Sequence, residues 1–265
     1  MRGPEHGFTL VELSIVLVIV GLIAGGVLVA QSMIAAANVA ATVKQIQQFD
    51  AGVENFRTKY NSLPGDSTLF GGDGDGIITR SNFSAGVDGV DFFECEIANF
   101  WAETFPDQYA ASPCPGPVPP ATKGAGKNVP LSRLGSNGSF FIASASASSS
   151  TSAYANPSIP QNYYAIFSGA HFQASNQYIF YAPSTEFALK PVEALSLDTK
   201  MDDGRPDQGA VISGSVSSAP DPGVTGGLFT APLSGCSTGP TYNVGTSGYQ
   251  CTPVIRIGAQ TGDSQ

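Results

Sequence analysis

One carboxylate lies inside the most apolar stretch of the chain. Glu12 is the only ionisable side chain between Phe8 and Ala30. A helix of about 20 apolar residues is long enough to cross the ~30 Å hydrocarbon core of a bilayer. A single charge inside such a span costs about 2.5–3.5 kcal/mol on insertion scales, and charged residues there are usually paired and functional. We therefore predict a membrane span in which Glu12 has a partner.

A secretory signal peptide is the alternative interpretation of the same run. Ala35-Ala36-Ala37 could serve as its small-residue cleavage site. However, the apolar core of a signal peptide is usually only about 7–15 residues long. The run found here is longer and carries Glu12, so the sequence favours a span.

The first of two acidic segments could bind calcium. Asp73, Asp75 and the backbone of Ile78 follow the order of part of an EF-hand loop, although its first and last ligand positions are missing. A full site needs about six to eight oxygens. Further carboxylates could contribute if the loop folds back: Asp66, Asp88 and Asp91. The alternative is a tight turn that uses the backbone freedom of glycine and aspartate. Ca²⁺ is the one cofactor that the sequence suggests.

The second acidic segment occupies residues 198–207. Its carboxylates are Asp198, Asp202, Asp203 and Asp207. The same residues could instead end a helix and form a turn, because aspartate and glycine are common in both places. Calcium binding and a structural turn therefore remain as alternatives here too.

Four cysteines predict two disulfides in an exported domain. Local closure favours Cys95–Cys114, which would tie a helix to a proline-rich loop. It also favours Cys236–Cys251, which would close a C-terminal hairpin or loop. A metal site would need CxxC-type spacing or neighbouring histidines, and the sequence has neither.

Composition argues against a nucleic-acid partner and against an enzyme. The formal net charge is −9, and no basic stripe with aromatic residues is present. A serine or cysteine nucleophile needs a base, and His171 is the only histidine after residue 7. Three acidic residues near the tryptophan could form an acid pair, but a solvated helix face is the simpler explanation: Glu94, Glu96 and Glu103. We predict no catalytic residues.

One long helix must position Glu12. No proline occurs from Phe8 to Asn61, which predicts a continuous helix of about 53 residues and roughly 80 Å, ended by Pro64 and Gly65. Its second half has an apolar stripe: Val39, Val43, Ile46, Val53, Phe56 and Tyr60, with Phe49 near the edge. We expect the stripe to pack on a globular domain, and the first half to face membrane or other copies.

The rest of the chain predicts an α+β domain. A short helix is expected over 91–105, where apolar residues recur every fourth position, and a second one is expected to begin near Pro191 and end near Gly204. Four segments rich in β-branched and aromatic residues predict strands: 138–145, 162–169, 176–183 and 251–259.

The hexapeptide from Gly7 to Glu12, GFTLVE, is followed at once by the apolar run. It resembles the cleavage and methylation motif of type IV prepilins and pseudopilins. In that family a membrane peptidase cuts after the glycine and methylates the new N-terminus. The resemblance implies a cut between Gly7 and Phe8. It also implies that Glu12 neutralises the amine of Phe8, in its own chain or in the next subunit. A buried pair of charges is tolerated where a single charge is not.

The resemblance also implies a division of the chain. Residues 1–7 would be the leader peptide, 8–30 the transmembrane and assembly half of the helix, 31–60 its amphipathic half, and 61–265 a β-rich head. The expected fold is therefore pilin-like: a long helix packed on an antiparallel β-rich domain.

The implied function is that of a structural subunit of a type IV pilus-like filament. It would cross the inner membrane once before assembly and lie in a periplasmic or extracellular filament afterwards. Its partners would be other subunits, the prepilin peptidase and methylase, and the assembly platform of the inner membrane. The alternatives are a type II secretion pseudopilin, a minor pilin, and a membrane-anchored adhesin that does not polymerise. Two features argue against a typical major pilin. Many major pilins have proline at the position of Val29, and the head of this chain is large.

Overall fold

The computed structural model describes residues 7–78, 95–111, 124–136, 138–145, 162–168, 187–214 and 235–258. Within these ranges the helices are α1 Leu10–Tyr60, α2 Cys95–Thr104 and α3 Pro191–Met201. The strands there are β1 Phe140–Ala145, β2 Asn162–Phe167, β3 Val211–Gly214, β4 Ser237–Thr238, β5 Thr241–Tyr242 and β6 Thr252–Arg256. The predicted α+β class, a long helix with an antiparallel sheet, is confirmed.

Helix α1 runs for 51 residues without a break, as the absence of proline predicts. It ends at Tyr60, before the expected Pro64-Gly65 stop. The reason is Asn61, which has left-handed backbone angles (φ 52°, ψ 36°) and donates its backbone N–H to the carbonyl of Arg57. Asparagine tolerates this conformation better than most residues, so it can close a helix by itself.

The two halves of α1 differ sharply in burial. Every described side chain from Leu10 to Asn38 is exposed. From Val39 onward the predicted stripe turns inward, with four of its members buried and the other two half-buried. The buried members are Val39, Ile46, Val53 and Phe56.

Phe49 lies at the centre of the contact between α1 and the head, not at its edge as the stripe suggests. Its ring centroid lies 4.8 Å from that of Trp101, 5.1 Å from that of Phe141 and 5.7 Å from that of Tyr164. These rings come from α2, β1 and β2. Phe49 therefore joins α1 to both the short helix and the sheet.

The main sheet has the strand order β1-β2-β6-β3, and all its pairs are antiparallel. Val254 of β6 is paired with Ala165 of β2 on one side and with Ile212 of β3 on the other. The structure has strands in three of the four predicted segments. The fourth, 176–183, lies outside the described residues. The short strands β3, β4 and β5 were not predicted as strands.

A disulfide joins Cys236 to Cys251 and closes a loop that contains the small β4–β5 hairpin. This is the pairing that local closure favours. Cys114 lies outside the described residues, so the Cys95–Cys114 pairing stays a prediction.

Candidate functional site

The first turn of α1 holds Glu12 in a reciprocal set of hydrogen bonds with Thr9. The backbone N–H and the hydroxyl of Thr9 both donate to Glu12 Oε2, each at 2.8 Å. In return, the backbone N–H of Glu12 donates to Thr9 Oγ1 at 3.3 Å. This is a capping box, in which N-cap and third helical residue satisfy each other's backbone donors. The Glu12 carboxylate is therefore held at the very start of the helix.

The segment before the helix is accessible. Gly7 and Phe8 precede the N-cap, have no regular secondary structure and are exposed; 87% of Phe8 is accessible to solvent. A peptidase needs an accessible backbone, and exposed Gly7 and Phe8 provide one. An α-amine formed at Phe8 would be one residue away from the Thr9 nitrogen that already donates to Glu12.

Thr9 is the residue that sequence reasoning missed at this site. The spacing Thr9-x-x-Glu12 in front of an apolar run is the signature of a capping box.

The apolar part of α1 matches the dimensions of a membrane span. By length and composition α1 could cross a membrane, and none of its most apolar window is buried inside the protein. The apolar first half of α1 therefore packs against nothing in the described part of the chain.

An acidic cluster forms where the segment after α1 meets α2. Carboxylate oxygens of Asp66, Asp73 and Glu96 lie within 4.8 Å of one another. Asp66 is buried and accepts the backbone N–H groups of Gly74 and Gly76 at 2.9 and 3.0 Å. Burial raises the pKa of Asp66, while the two hydrogen bonds act in the opposite direction. Asp66 thus folds back onto the loop, as a calcium site would require.

The cluster differs from the set of ligands expected from sequence. Asp73 belongs to it, whereas Asp75 Oδ1 accepts the backbone N–H of Ile77 at 2.9 Å and is not one of the three. The backbone N–H of Ile78 donates to Asn162. Calcium binding by Asp73, Asp75 and Ile78 therefore stays a prediction. The carboxylates that lie closest to Asp73 in the cluster are those of Asp66 and Glu96.

The prediction that Glu96 and Glu103 lie on a solvated helix face is wrong. Glu96 is only 2% exposed, and its Oε1 accepts the backbone N–H of Asp73 at 3.2 Å. Glu103 is half-buried; its Oε2 accepts the backbone N–H of Gly65 at 2.8 Å. Burial, with a smaller contribution from Glu96, raises the pKa of Glu103 to about 7. Both side chains face inward because α2 packs against the segment that follows α1.

The second acidic segment serves the fold. Asp198 is fully buried and accepts the hydroxyl of Tyr242 at 2.6 Å and the backbone N–H of Gly204 at 2.9 Å. Burial raises the pKa of Asp198 to about 7. Asp202 accepts backbone N–H groups where the chain enters β3. Carboxylates of Asp198, Asp202 and Asp203 could share an ion, but these bonds already account for a helix end and a turn.

Comparison with known proteins concerns the N-terminal segment alone. Residues 2–28 match the family model of the prokaryotic N-terminal methylation motif. No curated protein and no solved structure matches the chain. The chain therefore carries the type IV pilin-like signal that GFTLVE suggested. Gly7, Phe8 and Glu12 all lie inside the matched range.

Proposed function

We propose that this protein is a structural subunit of a type IV pilus-like filament. It would be anchored once in the inner membrane before assembly and lie in a periplasmic or extracellular filament afterwards. The observation that carries the proposal is the position of Glu12. Its carboxylate lies beside the start of a helix whose first half is exposed, within a matched methylation motif.

Processing would set up the pairing. A cut between Gly7 and Phe8 would remove residues 1–7 and create an amine at the head of the apolar helix. At neutral pH an α-amine is largely protonated, because its ordinary pKa is about 7.7–8.0. A cation and an anion that enter an apolar environment together avoid the cost of an unpaired buried charge. Glu12 would therefore fix the axial position of the neighbouring subunit.

The capping box leaves Glu12 able to take this partner. Both hydrogen bonds that Thr9 donates to the carboxylate are accepted by Glu12 Oε2. A carboxylate has two oxygens and about four acceptor positions. Oε1 could thus accept the methylated amine of Phe8 while Oε2 keeps the helix capped. Thr9 would hold the acceptor in the geometry that the next subunit meets.

The division into 8–30, 31–60 and 61–265 would follow from this role. The first segment would contact lipid and later other subunits, the second would carry the head, and the head would face outward. Partners would be other pilin or pseudopilin subunits, the prepilin peptidase and methylase, and the assembly platform. A type II secretion pseudopilin or a minor pilin would use the same contacts. Val29, in place of the proline of many major pilins, favours these over a typical major pilin.

Mass spectrometry of the mature N-terminus tests processing. We expect the first residue to be an N-methylated Phe8. A mature chain that begins at Asn38, after the Ala35-Ala36-Ala37 site, would mean that the run is a signal peptide and would overturn the proposal.

Replacing the carboxylate tests assembly. Glu12→Ala should insert in the membrane and be cut, but should not enter filaments, because the amine of the neighbour loses its partner. Glu12→Gln keeps a polar side chain without the charge, so its filament yield shows whether charge or polarity is required. Leu13→Ala, at the next position, is the control for lost volume. Filaments of normal yield from Glu12→Ala would refute the pairing role of Glu12. Wild-type protein that is absent from sheared filaments would refute the filament function and favour an adhesin that never polymerises.

A further inference from the structure

A cavity of about 310 Å³ opens between the C-terminal end of α1, the segment that follows it, and α2. Its walls include Phe56 and Tyr60 from α1, Phe70 from the connecting segment, and Asn99 and Glu103 from α2. It lies far along the chain from the N-terminal motif, and filament packing through the exposed half of α1 would not use it.

One wall of the cavity is aromatic. The ring centroids of Phe56, Tyr60 and Phe70 are separated by 4.6, 5.8 and 5.1 Å. Phe70 is 45% exposed and its neighbour Leu69 is 69% exposed, so the rim of the cavity is apolar and open to solvent. Exposed apolar patches bounded by polar residues often mark sites of interaction with other molecules.

Another wall of the cavity includes Glu103, whose carboxylate has one oxygen without a hydrogen-bond partner. Glu103 Oε2 accepts the Gly65 N–H, but Oε1 is buried and has no hydrogen-bond partner. A buried oxygen without a partner is uncommon in folded proteins and calls for an explanation. Glu96 and Asp66 lie near Glu103, and both disfavour its ionised form. Of these three carboxyl groups only Glu103 lines the cavity, and a cation there would favour its ionised form.

We propose that this cavity binds a lysine side chain presented by a partner protein. The alkyl stem would lie along the rings of Phe56, Tyr60 and Phe70. The Glu103 carboxylate, whose Oε1 is buried, would turn toward the cavity to meet the ammonium group. Ammonium groups are attracted to aromatic faces within about 6 Å of the ring centroid, and a charged donor forms the stronger kind of hydrogen bond with a carboxylate. Tyr60 already takes such a contact, since Lys59 Nζ lies 4.8 Å from its centroid.

The cavity suits a cationic side chain better than a calcium ion or an apolar side chain. Calcium needs six to eight oxygens, and the aromatic wall offers none. A purely apolar side chain would leave the buried Glu103 Oε1 without a partner, which is unfavourable for a carboxyl group. The exposed Leu69 and Phe70 at the rim fit a protein surface around the lysine.

Two matched probes test the proposal on the full chain in detergent micelles. Nα-acetyl-lysine amide carries the ammonium group, and Nα-acetyl-norleucine amide has the same backbone and a neutral apolar side chain. Saturation-transfer NMR titrations measure the Kd of each. We expect the lysine probe to bind about tenfold more tightly than the norleucine probe.

Variants locate the binding and exclude unfolding. Glu103→Gln keeps an oxygen for the Gly65 N–H and should reduce lysine binding about tenfold, to the level of norleucine. Phe70→Ala should weaken both probes. Glu54→Gln removes the same charge from the exposed face of α1 and should change neither Kd. Fluorescence of Trp101, the single tryptophan, verifies folding. Equal Kd values for the two probes, no binding of either, or unchanged lysine binding by folded Glu103→Gln would each overturn the proposal.

Discussion

The two halves of α1 are built from one helix but are stabilised by different environments. From Leu10 to Asn38 every described side chain is exposed, although most are apolar. From Val39 to Tyr60 a stripe packs on α2 and the sheet, with Phe49 against the rings of Trp101 and Phe141. A helix that is apolar on all sides needs lipid or other helices around it, whereas a striped helix needs one core.

The carboxylates of the two halves also differ in how far away in sequence their hydrogen-bond partners lie. In the first half, the Glu12 carboxylate bonds to Thr9 of its own turn and to no other described residue. In the second, Asp50 accepts the hydroxyl of Tyr164 and the backbone N–H of Gly258, both far away in sequence. One carboxylate is satisfied locally and is free to meet another molecule, and the other is committed to the fold.

The largest effect is expected from the centre of the buried half. Phe49→Ala should reduce the free energy of unfolding of the head by about 3–5 kcal/mol, because it leaves a cavity among several rings. Urea denaturation of the full chain in micelles, followed by Trp101 fluorescence, measures this. Val20→Ala, in the exposed half, is the control and should leave head stability within about 0.5 kcal/mol. Similar losses from both variants would mean that the halves are not energetically separate.

The disulfide should matter nearly as much, and only for the head. Replacing both Cys236 and Cys251 with serine should cost about 2–5 kcal/mol, as the loss of a native disulfide usually does in a small exported domain. The same denaturation measures the loss, while alkaline extraction of membranes should find the variant still integral. A variant released from the membrane would show that the head supports the span after all.

A smaller, pH-dependent effect is expected at Asp50. Burial raises its pKa above the ordinary value of 3.8, although hydrogen bonds from Gly258 and Tyr164 and the charge of Arg57 oppose the change. A raised acid pKa means that the folded state binds the proton more tightly. The contribution of Asp50 to stability is therefore greatest below the unfolded pKa and decreases as pH rises through the folded pKa.

Asp50→Asn removes this dependence and keeps an oxygen acceptor for both donors. Its stability relative to wild type should therefore increase as the pH rises above the ordinary pKa of 3.8. Glu54→Gln, on the exposed face of α1, gives the matched comparison of charge removal on the same helix. A difference between Asp50→Asn and wild type that stays constant with pH would mean that the pKa of Asp50 is not raised by folding.

The smallest effect is expected from calcium. If the loop binds it with a Kd of about 10⁻⁴–10⁻³ M, millimolar calcium should raise the free energy of unfolding by roughly 0.4–1.4 kcal/mol. Asp73→Ala should abolish the gain, because Asp73 belongs to the carboxylate cluster; Asp75→Ala, outside that cluster, should reduce it less. The same melting temperature in calcium and in chelator would identify the loop as a turn.

Local patterns predicted most of the fold. The proline-free run predicted α1, and β-branched and aromatic segments predicted β1, β2 and β6. The four-residue β3 and the two-residue β4 and β5 are too short to show any periodicity. Gly7, Phe8 and Glu12 could be found in sequence because their motif is contiguous.

Burial of polar side chains could not be predicted in the same way. Asp50 lies outside the apolar stripe of its helix, yet it is only 8% exposed. Its partners Tyr164 and Gly258 follow it by 114 and 208 residues. Glu96 is buried and Glu103 is half-buried because the segment after α1 folds back on α2. Such contacts depend on the tertiary arrangement, which no window of sequence contains.

The strand order has a consequence for the order of folding. β6 lies between β2 and β3, although both precede it in the chain. During synthesis β2 and β3 emerge first, but neither can complete its pairing until residues beyond 251 have followed. Contacts of such long sequence separation form slowly, and unpaired strand edges are prone to aggregation in the meantime. A newly made chain would thus depend on protection of its open sheet edges until β6 arrives.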